Sequence, residues 1–140
     1  MKIGLSQKLN PSSVFPPFSA YSHAVDCRGP FRWLHISGQV GVDLEGRVAG
    51  DSEAQHRQTW KNLLAILQSA EMKPQHLVKV TAYITEQTDT PIYRRVRDES
   101  IPGVECASTL LVISGLAHPD YKVEIEAIAA EPVDSGDNSE

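Results

Sequence analysis

From Ala54 onward the apolar positions Trp60, Leu63, Leu64, Leu67 and Ala70 recur at the spacing of one helical face, which predicts an amphipathic helix. Asp51 or Ser52 supplies its N-cap, a short oxygen-bearing side chain that can accept from the free amides of the first turn. Such a stripe needs a sheet to cover, and Leu77 to Ile84 provides a strand in which Val78, Val80, Ala82 and Ile84 alternate against Lys79, Thr81 and Tyr83. A second, shorter helix is predicted from Thr90 or Pro91 to Glu99. Proline suits a first helical turn, and Ile101-Pro102-Gly103 ends the pattern.

Upstream, strand-like segments at Ser22 to Cys27 and Trp33 to Val40 flank the turn signal Arg28-Gly29-Pro30 and read as a hairpin. Asp43 to Gly46 is a second tight turn, with Arg47 to Ala49 as a short third strand. Downstream, Ala107 to Ser114 and Lys122 to Ala130 read as two strands of a hairpin, joined through Gly115 and His118-Pro119-Asp120. Residues 1–19, with Pro11, Pro16 and Pro17, suit an irregular lead-in, and the acidic segment from Glu131 a disordered tail. One domain, 20–130, is expected between them.

The order β-β-(β)-α-β-α-β-β predicts an α+β fold, two helices on one face of a mixed sheet and the other face uncovered. On the last strand Val123, Ile125, Ala127 and Ala129 point one way, and Glu124, Glu126 and Ile128 the other. A face that mixes charge with apolar groups suits a subunit interface lined by a polar cleft.

Charge narrows the partners. A net charge of -5 over 140 residues opposes nucleic-acid binding unless basic groups cluster strongly. Arg94, Arg95 and Arg97 do cluster, but Asp98 and Glu99 follow at once, which reads as a solvated helix face. Cys27 and Cys106 lie far apart and read as buried small hydrophobes; a nucleophilic Cys106 would need a depressed pKa. The five histidines show no metal-ligand spacing, so no metal is expected. The N-terminus carries no apolar signal core, no run approaches the roughly 20 residues of a membrane helix, and a cytoplasmic protein without membrane contact is expected.

Three segments in order carry a resemblance: Tyr21-Ser22-His23-Ala24-Val25, Ile36-Ser37-Gly38-Gln39 and Val123-Glu124-Ile125-Glu126-Ala127-Ile128-Ala129. With the helix Gln58 to Leu63 and the strand Leu77 to Ile84, this set resembles the RidA/YjgF family over about residues 20–130. The resemblance implies a chorismate-mutase-like fold, a homotrimer with its sheets at the centre, and small-molecule clefts between subunits. It also implies hydrolysis of reactive enamines and imines to a keto acid and ammonia, with no cofactor. Glu124 matches the family's water-orienting acid, Tyr21 its site tyrosine, and Ser37-Gly38 the strand end bordering the ligand. Each also fits a structural role: Glu124 in a salt bridge, Tyr21 as a cap on the core, Ser37-Gly38 as a bulge.

The chain departs from the family on the penultimate strand. Cys106-Ala107-Ser108-Thr109 has Ser108 where active members carry an arginine that grips the substrate carboxylate, and no arginine follows Arg97. One neutral hydroxyl contributes about 1 kcal/mol, and a charge-assisted pair roughly twice that. Poor use of 2-imino acids is expected, unless Arg94, aligned with a cleft position of the second helix, supplies the charge. A non-catalytic trimer that binds a metabolite or partner is the alternative.

Overall fold

The computed structural model describes residues 2–135. Its strands are β1 (Leu5–Leu9), β2 (Ala24–Arg28), β3 (Phe31–Val40), β4 (Leu77–Ile84), β5 (Ala107–Val112) and β6 (Val123–Pro132), and its helices α1 (Ser52–Ser69) and α2 (Thr90–Ser100). Four strands form one sheet in the order β3-β6-β4-β5, with β4 and β5 parallel and the other pairs antiparallel. Trp60, Leu63 and Leu67 of α1 and Tyr93 and Val96 of α2 bury themselves against Val80, Ala82, Ile84, Val123, Ile125, Ala127 and Ala129. The residues between these on β4 and β6 face away from the helices. This is the expected α+β arrangement of two helices on a mixed sheet.

Both expected hairpins are replaced by longer-range pairings. Gly29 (φ 85°) turns the chain between β2 and β3, and β2 pairs with β1 in a separate two-stranded sheet, Leu5 opposite Arg28. Every residue of β1 is exposed, so no apolar alternation marked it within the lead-in expected to be irregular. The last two strands are not neighbours either. β6 lies between β3 and β4, and β5 runs parallel to β4 at the sheet edge. Residues 47–49 form no third strand beyond a single bridge from Val48 to Val42. The Asp43 turn stands: its Oδ1 accepts from the amides of Glu45 and Arg47, both at 2.9 Å. Of the tail expected to be disordered, Glu131 and Pro132 belong to β6 and Asp134 bridges to Ile3; residues 136–140 lie outside the described residues.

Asp51 caps α1, its Oδ1 accepting from the Ala54 amide at 2.8 Å. One turn on, buried Gln55 clamps the segment before β6, donating to the Asp120 carbonyl (2.9 Å) and accepting from the Lys122 amide (2.8 Å). Next to it His56 is fully buried; its Nδ1–H donates to the Ser52 carbonyl (2.8 Å), and Nε2 has no partner among the described residues. Burial holds its pKa below 6.5, against the opposing pull of the Ser52 carbonyl and Asp89. Above pH 6.5 the ring is neutral in both folded and unfolded chains and contributes nothing. Below it the unfolded chain binds the proton first, so stability is lost as pH falls. The expected slope from His56 is at most about 1.4 kcal/mol per pH unit. Thermal melts of wild type and His56→Gln across pH 7 to 5 check this, the variant losing that part of the slope.

Candidate functional site

β3 and β6 fall out of register between Ile36 and Gln39, so Ser37 and Gly38 form a bulge. Gly38 leaves space that its neighbour uses: a Cβ at this position would fall on the Glu124 carboxylate and push that side chain aside. Ser37 contributes its carbonyl, which accepts from Gln39 Nε2 at 3.0 Å. Glu124 alternates with the core residues Val123 and Ile125 and therefore lies on the face the helices leave uncovered. It makes no hydrogen bond or ion pair with the described residues, so among them it is not a salt-bridged carboxylate.

Around it the face is polar. Tyr83, opposite Glu124 on β4, donates its hydroxyl to Glu126 Oε1 at 2.5 Å. That hydrogen bond, with the added charge of Glu124, raises the phenol's pKa. Lys79 Nζ donates to Thr109 Oγ1 on β5 at 2.6 Å. A half-buried carboxylate without a partner beside these groups is able to hold a water molecule and accept its proton.

Tyr21, Arg94 and Ser108 gather elsewhere, around a cavity of about 230 Å3 at the β5 edge of the sheet. Ser22 ties the lead-in to that edge, its amide donating to the Cys106 carbonyl (3.0 Å) and its hydroxyl to the Glu105 carbonyl (2.5 Å). This sets Tyr21, with Phe18 and Ser19, along one wall, the Tyr21 hydroxyl accepting from the Phe18 amide at 3.3 Å. Ser108 pairs with core residue Val80 and so points to the helix side, the opposite face from Glu124. Within the chain, Glu124, Ser37 and Gly38 form one group and Tyr21, Arg94 and Ser108 another.

α2 supplies the residue that sequence reasoning missed. The three arginines do not share a solvated face: Arg95 pairs with Glu53 of α1, Arg94 is exposed at the cavity rim, and Arg97 is 4% exposed and lines the cavity. Its spacing of four from Tyr93 was the available signal, since i and i+4 share a helix face. The hydroxyl of Tyr93 is buried in the same wall, and burial pushes its pKa up to about 12, Arg97 and then Ser108 only partly opposing this. Burial likewise raises the Cys106 thiol, which leaves it protonated rather than nucleophilic. Among the described residues no group of three His, Cys, Asp or Glu side chains is placed to hold a metal ion, and no helix is long and apolar enough to cross a membrane.

Residues 12–131 match the family model described as "Endoribonuclease L-PSP". A "RutC family protein" of Aquifex aeolicus is 32% identical over 117 residues, covering 82% of this chain and 91% of that relative. The chain belongs to the RidA/YjgF family. This RidA/YjgF protein is also similar to a "2-iminobutanoate/2-iminopropanoate deaminase" of Salmonella typhimurium, 32% identical over 101 residues, 66% of this chain and 75% of that one. Among solved structures, the Rid family protein YyfB of Yersinia pestis superposes with a TM-score of 0.81 at 28% identity, covering 90% of this chain and 98% of its own.

Proposed function

We propose that this RidA/YjgF protein is a cytoplasmic homotrimer that hydrolyses small imines or enamines in clefts between its subunits. The observation that carries the reading is the Glu124 carboxylate, without a partner among the described residues and seated in the space that Gly38 leaves open. Water adds its oxygen to the C=N carbon as Glu124 takes its proton. The proton passes to nitrogen to give a carbinolamine; its hydroxyl proton then follows to nitrogen as the C–N bond breaks, and a carbonyl compound and ammonia leave. The name of the Salmonella relative supports this chemistry. In the assembly, Ser37 and Gly38 border the ligand beside Glu124, and Tyr21, Arg94 and Ser108 close the cleft from a neighbouring subunit. Light scattering is expected to give three times the mass of the chain; a monomer would remove the cleft.

Specificity is altered relative to members that carry an arginine on the penultimate strand. Neither Ser108 nor its β5 neighbours Ala107 and Thr109 offers a charge, so the smallest 2-imino acids are held poorly in front of Glu124. The test generates the imine with an amino-acid oxidase or dehydratase and follows its disappearance. Acceleration is expected, but slower on 2-aminoacrylate than with an arginine-bearing relative. No acceleration on any imine, with or without a carboxylate, would discard the hydrolase reading in favour of a trimer that only binds.

A further inference from the structure

The guanidinium of Arg97 uses its nitrogens unequally. Nε donates to Asp98 Oδ1 at 2.9 Å, Nη1 reaches Ser19 Oγ at 3.4 Å, and Nη2 has no acceptor among the described residues. The group is held in place over the Tyr93 ring, its central carbon 5.7 Å from the centroid. Tyr93 is 1% exposed, and its hydroxyl has no hydrogen-bond partner among the described residues either. Both side chains line the cavity of about 230 Å3 that also receives Ser108 and Arg94, room for far more than one water at roughly 30 Å3 each, and the two polar atoms lie just beneath its wall. Phe18 and Leu110 give its wall an apolar part, beside Ser19 and Tyr21.

Charge and hydrogen bonding point the same way. Two arginines and no carboxylate line the cavity; Asp98, which accepts from Nε, is exposed and not part of the lining. Buried donors without acceptors are rare in folded proteins, because nothing offsets the loss of their water. A ligand bringing negative oxygens would satisfy the free Nη2, the phenol and the serine hydroxyl together. A short apolar chain on that ligand would cover Phe18 and Leu110.

We propose that this cavity binds a small organic carboxylate, its oxygens received by Arg97 with Tyr93 and Ser108 and its carbon chain lying on Phe18 and Leu110. The anion-binding charge then comes from α2 instead of the penultimate strand, and from the helix side of the sheet. This names the carboxylate subsite of the proposed function and rests on that reading for its place in a cleft; binding itself needs no turnover.

Calorimetry on the full chain with 2-oxobutyrate, and separately with inorganic phosphate, tests it. Arg97→Met is expected to weaken 2-oxobutyrate binding about ten- to a hundred-fold, and Tyr93→Phe about two- to ten-fold. Arg97 is buried, so Ser108→Leu serves as the second variant. It fills the cavity from the edge strand and is expected to abolish binding with the far-ultraviolet dichroism of wild type. Equal affinity in wild type, Arg97→Met and Ser108→Leu would overturn the proposal, and phosphate binding as tightly as 2-oxobutyrate would overturn the carboxylate assignment. Binding that follows these variants in a protein without imine hydrolysis would sink the hydrolase reading and leave this subsite standing.

Discussion

Glu124→Gln is expected to lower imine turnover by about 10²- to 10⁴-fold, the usual contribution of a positioned proton acceptor. The amide keeps the size and the seat of the carboxylate but cannot take a proton from water. The melting temperature and the oligomeric state should not move, because Glu124 makes no hydrogen bond or ion pair with the described residues. Gly38→Ala approaches the same loss by displacement, its methyl claiming the space of the carboxylate. Steady-state kinetics of both variants on an oxidase-generated imine, alongside light scattering, make the comparison. Wild-type kcat in Glu124→Gln would remove Glu124 from the chemistry.

The largest expected change in stability lies in the layer between helix and sheet. Trp60 is 1% exposed on α1, over the β3-β6 side of the sheet, and Trp60→Ala should cost about 3 to 5 kcal/mol through lost contacts and a cavity that closes only in part. That is a large fraction of the roughly 5 to 15 kcal/mol that holds a typical domain together. The indole Nε1 has no partner among the described residues, so Trp60→Phe removes an unsatisfied donor along with some volume and should be far milder. Urea unfolding at one fixed protein concentration compares the three proteins, the concentration being held because assembly adds to apparent stability. Equal losses in the two variants would show that the indole nitrogen, not the packed ring, carries the effect.

Local physics explains why some elements were legible in the amino-acid order. The helix from Ser52, its Asp51 cap and the strand Leu77–Ile84 each express a rule contained within a dozen residues: a stripe, a capping oxygen, an alternation. The two faces of β6 were equally plain, since Val123, Ile125, Ala127 and Ala129 alternate with Glu124 and Glu126. Partner choice was not. The turn signals at Arg28-Gly29-Pro30 and His118-Pro119-Asp120 were read correctly as breaks, but a break does not say whether the chain returns to its neighbour or crosses the sheet. β1, fully exposed and polar in pattern, pairs through its backbone, which leaves no mark on side-chain hydropathy.

The same division runs through the candidate site. The order of residues alone placed Glu124 and Glu126 together on the face opposite the helices, and marked Ser37-Gly38 as a place where the backbone comes close. The register of β5 against β4 was a tertiary decision, and it turned Ser108 away from Glu124 toward α2. So was the burial of Arg97: three arginines followed by two acids look alike in a sequence, and only packing α2 on β5 sends one to Glu53, one to the rim and one inside. Periodicity determines which side chains share a face, because it is a property of the local backbone. What that face meets depends on contacts between residues distant in sequence, which local pattern does not encode.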